Sequence, residues 1–326
     1  MKARERVRLG RTALEVTRLG LGTAPLGGLY EAVEERVALE VVGAAWQADL
    51  RFFDTAPLYG HGLSERRVGR ALRDKSRTEY TLATKVGRLL RADAPPEPGQ
   101  LFRGVPAVNP VFDFSSDGVM RSLYESLERL GLERVDIAHI HGPINYFKQA
   151  LNEAYPALDR LRTEGVIAAV GVGMTQAEML VRFAHEADFD CFLLAGRYTL
   201  LDQVALQDLL PLCSERRIGV VIGGVFNSGI LADPHPGAYY DYRPASRVHL
   251  ERAQSLASVC SRYRVPLKAA ALQFPFGHPA VASVLVGCRS VDELGENIRL
   301  FEEPIPPALW EEMKSEGLLG EEVPTP

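Results

Sequence analysis

Short apolar runs alternate with amphipathic stretches from residue 19 to residue 301. Eight runs read as strands: LGLGT (19–23), RFFDT (51–55), YTLATKV (80–86), VDIAHIH (135–141), IAAVGVG (167–173), DCFLLA (190–195), IGVVIGG (218–224) and ASVLVG (282–287). None alternates strictly between apolar and polar, which is the pattern of strands buried on both faces of a parallel sheet. Between them, apolar residues recur at helical spacing over 33–48, 64–73, 116–131, 147–165, 176–187, 206–217, 246–263 and 290–301. Several of these begin after Ser, Thr or Asp and end near Gly, as helix starts and stops should. A hairpin, RVRLG and LEVTRLG around the turn RTA, precedes the first unit. Eight strand–helix units with no linker predict an α/β fold, a single (β/α)8 barrel domain over 1–326. Two connections are too long for turns: 87–115 and 225–247, both rich in Pro, Gly and aromatics. Both follow strands, so both belong to the carboxyl-terminal face, where barrels build their sites.

Composition narrows the function. Lys and Arg number 37 against 42 Asp and Glu, a formal charge of −5. That balance offers no electrostatic footprint for nucleic acid or for an anionic membrane. The basic start, MKARERVRLGRTALEV, is followed by no apolar segment of signal length, and no run reaches the roughly 18 residues of a membrane span. A cytoplasmic enzyme with a small-molecule substrate is expected, as a monomer or small homo-oligomer. The four cysteines (Cys191, Cys213, Cys260, Cys288) show no metal or disulfide spacing. His139 and His141 share a strand face, but no carboxylate or cysteine repeats beside them at ligand spacing, so no metal is expected.

Three strand candidates end in ionisable residues: Asp54, Lys85 and His141, with Tyr59 five residues beyond Asp54. Hydride transfer at a carbonyl carbon needs a proton at its oxygen. Free tyrosine, with a pKa of about 10, is a poor base, but an adjacent ammonium stabilises the phenolate. A carboxylate keeps that ammonium charged, and a histidine orients the substrate oxygen. His139, one pair deeper than His141, reads as a hydrogen-bonded core or wall histidine. The dinucleotide fingerprint G-x-G-x-x-G fails twice: Pro25 and Gln176 stand where its last glycine belongs.

The four residues lie in stretches that resemble the aldo-keto reductases over nearly the whole chain. DTAPLYG carries Asp54 and Tyr59, and the following S-E-x-x-x-G is met by Ser64, Glu65 and Gly69. Lys85 follows an apolar strand, and Ile140, His141 and Pro143 match the family's I-H-x-P. The resemblance implies that Tyr59 is the general acid/base, tuned by Lys85. It implies that Asp54 pairs with Lys85 and that His141 orients the substrate.

It also implies a nicotinamide site built from Gly22, Thr23 and Asp54, from Gly173 and Met174, and from Gly224, Phe226, Asn227, Ser228 and Gly229. The segment VLVGCRSVDELGENI (284–298) adds Val286, Gly287, Cys288, Arg289, Glu293 and Asn297. The stacking aromatic is missing from its usual place, and Phe226 or Tyr198 could take it over. Where NADP-using members carry a lysine and an arginine, ten and four residues before the closing asparagine, this chain has Gly287 and Glu293. That exchange favours a ribose hydroxyl over a 2′-phosphate, so NAD is expected, with Arg289 keeping NADP open.

The departures, with GRYTLLD (196–202), are similar to a branch of bacterial aldose and pyridoxal dehydrogenases. The expected reaction is NAD-dependent oxidation of a free aldose of the fucose, galactose or arabinose type at C1 to the lactone. The alternatives are NADPH-dependent reduction of a small aldehyde or ketone, pyridoxal oxidation, a Schiff-base aldolase on Lys85 and a non-catalytic nicotinamide-binding regulator. His61, Arg88, Phe112, Tyr239 and Tyr240 are the candidate substrate walls.

Overall fold

The structure is a computed structural model that describes residues 1–96 and 99–326; Glu97 and Pro98, within the expected 87–115 connection, lie outside the described residues. The chain opens with the antiparallel hairpin β1 (Arg6–Arg8) and β2 (Glu15–Thr17). Eight parallel strands then close a barrel in the order β3 (Leu19–Gly22), β4 (Phe52–Asp54), β5 (Thr81–Val86), β8 (Ile137–His141), β9 (Ala169–Met174), β10 (Cys191–Ala195), β11 (Gly219–Gly223) and β14 (Val281–Gly287). β14 returns to β3 with Val284 beside Leu19 and Gly287 beside Gly22. Every strand expected from the apolar runs is present.

Helices cover the outside: α1 (Glu35–Gln47), α2 (Leu63–Leu72), α3 (Ser116–Leu130), α4 (Phe147–Gln149), α5 (Tyr155–Thr163), α6 (Ala177–Glu186), α7 (Leu209–Arg216) and α8 (Arg247–Arg262), then α10 (Val291–Phe301). Between α4 and α5 the chain widens into a π turn over Ala150–Ala154, ahead of Pro156. Two helices were not anticipated, α9 (Leu267–Gln273) and α11 (Pro307–Ser315). Nor were two small hairpins: β6 (Arg88–Arg91) with β7 (Asn109–Phe112), and β12 (Tyr239–Tyr240) with β13 (Arg243–Pro244). They stand inside the two long connections, at the carboxyl-terminal mouth.

The apolar residues split into two cores. The larger lies between strands and helices; the smaller fills the barrel with Phe52, Ala83, Ile137, Ala169, Leu193, Val221 and Leu285. Leu9 and Val16 of the first hairpin join the inner core. On β4, β5 and β8 the interior turns from apolar to polar toward the carboxyl-terminal end, because Phe52, Ala83 and Ile137 each lie two residues before the buried Asp54, Lys85 and His139. Among the described residues, no helix is long and apolar enough to cross a membrane.

Candidate active site

Strand register builds the site. β4, β5 and β8 are neighbours, with Asp54 opposite Ala83 and Lys85 opposite His139. Lys85 is 1% exposed, and burying an ammonium requires a partner. Its Nζ donates to Asp54 Oδ1 at 2.6 Å and to the Thr55 carbonyl at 3.0 Å. Tyr59 sits on the turn between β4 and α2, and its phenol hydrogen-bonds Lys85. That turn is pinned by Gly60 (φ 63°), where a Cβ would stand 2.2 Å from the Gly27 carbonyl oxygen. The His141 ring meets the Tyr59 ring edge-on at 6.1 Å.

The motif that follows Tyr59 is scaffold. The Ser64 hydroxyl lies within hydrogen-bond distance of the Thr23 carbonyl (2.9 Å) and hydroxyl (2.7 Å) and of the Thr55 hydroxyl (3.1 Å). Glu65 accepts from Thr84 at 2.8 Å and from Arg129 at 2.6 Å. Gly69 lets α2 touch the end of α3, since a Cβ there would fall 1.8 Å from the Leu130 carbonyl oxygen. These contacts bind β3, β4 and β5 together behind Lys85.

The protonation states follow from burial and charge. Burial pushes the Tyr59 phenol above its ordinary value; the Lys85 ammonium pulls the other way without overcoming it. Burial likewise raises the Asp54 carboxyl against the pull of Lys85. Burial opposes the charge on Lys85, but Asp54 and Tyr59 outweigh it and hold the ammonium above its usual range. A Schiff-base lysine needs the opposite shift. Burial, then Arg88 and Lys85, drive His141 well below 6.5, so its imidazole is neutral at working pH.

His139 corrects one expectation. It is fully buried, yet neither ring nitrogen has a hydrogen-bond partner in the structure. Its ring lies against Gly171, and burial lowers its pKa to about 3.

The residues expected around the cofactor separate into two groups. Gly22, Thr23, Gly173 and Met174 end β3 and β9; a Cβ on Gly173 would lie 3.5 Å from the Lys85 side chain. Thr23 donates from N and from Oγ1 to the Asp54 carbonyl, at 2.9 and 2.8 Å. Gly224, half-buried Phe226 and Gly229 follow β11. At the end of β14, Val286 is buried and Gly287 exposed, and Cys288 just beyond it is buried. Ser290 caps α10 by accepting from Glu293 N–H at 3.1 Å. The Glu293 carboxylate accepts from Arg289 N–H at 2.8 Å, and Arg289 also reaches Glu31 at 3.4 Å. Asn297 donates to Cys288 Sγ at 3.4 Å and keeps a buried, unpartnered Oδ1.

Two residues point elsewhere. Tyr198 is 0% exposed, packed against Phe274 at 5.2 Å and His278 at 6.2 Å, so no ring face is open for stacking. Asn227 spends its side chain on the Gly196 carbonyl (3.1 Å) and the Thr199 hydroxyl (2.6 Å).

The wall candidates divide too. Arg88 lies over the Phe112 ring at 4.4 Å, and Phe112 continues into Phe114 and Tyr146. His61 is buried, with Nδ1 2.5 Å from the Val108 carbonyl oxygen and its ring 6.5 Å from that of Phe102, beside a flank groove of about 620 Å³. Tyr240 stacks on His249 at 3.9 Å and donates to Asp202 at 3.2 Å. Tyr239 faces Tyr30. Three residues at the mouth escaped sequence reasoning: Phe102, 6.2 Å from the Tyr59 ring; Tyr242, whose phenol lies within electrostatic reach of Tyr59 and Lys85; and Gln176, whose Oε1 is buried without a partner just past β9. Phe102 and Tyr242 lie in the two long connections, whose richness in aromatics is the one available signal.

Residues 18–316 match the model of the aldo/keto reductase family. The chain is 42% identical to pyridoxal 4-dehydrogenase of Microbacterium luteolum, over 98% of this chain and 99% of that protein. It is 40% identical to D-threo-aldose 1-dehydrogenase of a Pseudomonas species, over 96% of each. Among solved structures, the holo form of aldo-keto reductase AKR11C1 from Bacillus halodurans superposes with a TM-score of 0.78, at 26% identity, over 98% of this chain and 97% of that one. The chain belongs to the aldo/keto reductase family and is a nicotinamide-dependent oxidoreductase acting on CH–OH groups.

Proposed function

We propose that the protein oxidises a free aldose of the fucose, galactose or arabinose type at C1 to its lactone, with NAD as oxidant. The observation that carries the reading is the Asp54–Lys85–Tyr59 chain ending beside a neutral His141. A bound nicotinamide supplies the hydride acceptor. Tyr59 takes the proton of the anomeric hydroxyl as the C1–H bond breaks and the carbonyl of the lactone forms. Lys85 stabilises the phenolate, and Asp54 keeps the lysine charged and in place. Neutral His141 hydrogen-bonds the reacting oxygen and fixes its direction.

The residues fit a nicotinamide dinucleotide. Two amide oxygens, on Gln176 just past β9 and on Asn297 within α10, are buried without partners, and both await a donor. Phe226, half-buried after β11, is left to stack on the nicotinamide in place of Tyr198. Glu293 already sets a carboxylate at the start of α10, where a 2′-phosphate would have to sit, and it engages Arg289. That supports NAD.

Pyridoxal is the second reading, favoured by the 42% relative and by the aromatic rim of Phe102, Phe112 and Tyr146. Pyridoxal, like an aldose, closes in water to a cyclic hemiacetal, so the same proton and hydride steps give a lactone. Purified protein, NAD or NADP, and a panel of aldoses plus pyridoxal decide between them by nicotinamide absorbance. Turnover of aldoses with NAD is the expected result; a marked NADP preference, or reduction of simple aldehydes alone, would refute it.

A further inference from the structure

Two-residue hairpin turns with both central residues left-handed are normally made of Asn-Gly or Asp-Gly, because glycine tolerates the conformation. The β12–β13 turn instead uses Asp241 (φ 50°) and Tyr242 (φ 62°). A bulky residue there is a backbone outlier that the surroundings must enforce. Three contacts do so. The Arg197 guanidinium holds Asp241 with two bonds, at 2.9 and 2.5 Å. The Ser228 hydroxyl accepts from Tyr242 N–H at 3.0 Å. Tyr30 hydrogen-bonds the same Ser228 and sets its ring 6.3 Å from that of Tyr242.

The ring so held contributes little to the core, since Tyr242 is 46% exposed. Glycine would satisfy the turn better. What the tyrosine adds is a phenol at the mouth, close enough to Tyr59 and Lys85 to feel their charge. Although the side chain is half open to solvent, desolvation by the protein crowded around the ring, helped by Tyr59 and Asp241, raises that phenol to about 12, so it stays neutral and can donate or accept. Arg197, Ser228 and Tyr30, which hold the turn, follow β10, β11 and β3, so the turn stands over the mouth, where a substituent on the carbon next to the reacting one would lie.

We propose that Tyr242 is a substrate-positioning residue whose phenol hydrogen-bonds a hydroxyl on the carbon next to the reacting one, making the enzyme selective for α-hydroxylated substrates. This deepens the oxidation reading above and rests on it. The test compares kcat/KM within matched pairs: an aldose against its 2-deoxy analogue with NAD, and lactaldehyde against propionaldehyde with NADH. Wild type prefers the hydroxylated member by about tenfold, the worth of one neutral hydrogen bond. Tyr242→Phe brings that ratio near one, chiefly through KM, and leaves cofactor affinity unchanged. Tyr242→Gly, which the turn accepts, does the same without loss of Tm. Reading the change in ratio cancels any intrinsic reactivity difference within a pair. Wild type without a preference, or variants that lose both members equally, would overturn the proposal. Aldehydes discriminated but no aldose oxidised would retire the aldose reading and keep the role of Tyr242; no turnover in either arm would end both.

Discussion

The floor and the rim of the barrel mouth are built on opposite principles. Asp54, Lys85 and His141 stand on strands that lie side by side, and Tyr59 is fixed one turn beyond. Their positions follow from register, their charges are paired, and Lys85 is almost completely buried. The rim is made by β6–β7 and β12–β13, two hairpins hung in long connections and held by ion pairs and aromatic contacts, with a left-handed turn in β12–β13. The floor has no freedom to vary without losing the proton path. The rim can change its residues without touching the barrel, so selectivity belongs there and chemistry belongs below.

The largest expected effect strikes the floor. Tyr59→Phe removes the proton carrier and should lower kcat/KM by about a thousandfold or more, in line with the upper range for general acid/base groups. Cofactor affinity, measured by fluorescence titration, should stay unchanged. Retained turnover would mean that another group moves the proton, and the contrast between floor and rim would collapse.

Cofactor choice comes next. Glu293→Lys removes the carboxylate at the start of α10 and supplies a cation for a 2′-phosphate. The NADP-to-NAD ratio of kcat/KM should rise by about tenfold or more, since a charge-assisted bond replaces a repulsion. An unchanged ratio would show that the 2′ position lies elsewhere.

Stability separates the two regions with opposite signs. Gly171→Ala would push a Cβ to 2.4 Å from His139 Nδ1 and 2.7 Å from the Cys191 carbonyl oxygen, so it should cost about 1–3 kcal/mol in urea unfolding. Tyr242→Gly relieves a left-handed residue and should gain about 1 kcal/mol. Equal responses at both sites would deny that the rim stores strain while the floor is close-packed.

The last effect is confined to acid and vanishes at neutral pH. His139 titrates at about 3 in the folded chain against about 6.5 when unfolded. Between these values the unfolded state binds the extra proton, so this group adds stability as pH rises and withdraws it as pH falls below about 6.5. His139→Leu should move the acid-unfolding midpoint to lower pH. A midpoint that stays or rises would place the acid-sensitive group elsewhere.

The same division decided what could be read from the chain. The eight barrel strands were legible because double burial leaves unbroken apolar runs, and the tetrad because each member ends such a run or sits in the turn after it. α9 escaped because LKAAALQ is short, alanine-rich and buried nearly all round, leaving no polar face to mark a period. α11 starts at Pro307, directly after Pro306, past the last barrel unit. The hairpins escaped because their arms are only two to four residues long and the turn of β12–β13 lacks the glycine that announces it. Hence the sequence points to Tyr239 and Tyr240 and not to Tyr242; without the turn, nothing in it says which tyrosine lies within electrostatic reach of Tyr59 and Lys85. Tyr198 misled for a related reason: it follows a strand end, but its ring turns outward among Phe274 and His278.

The central claim is that Tyr59 is the proton acceptor of an oxidation, and pH tests it most directly. Burial holds the phenol above its usual value of about 10, so at neutral pH only a small fraction is ready to accept. For NAD-dependent oxidation of an aldose, kcat/KM should climb by about tenfold per pH unit from 7 to above 9 and level off only past 10. The reverse reduction, which needs the protonated phenol, should stay flat over the same range. An oxidation profile that is flat, or that levels off near 6 to 7 as a histidine base would, contradicts the assignment.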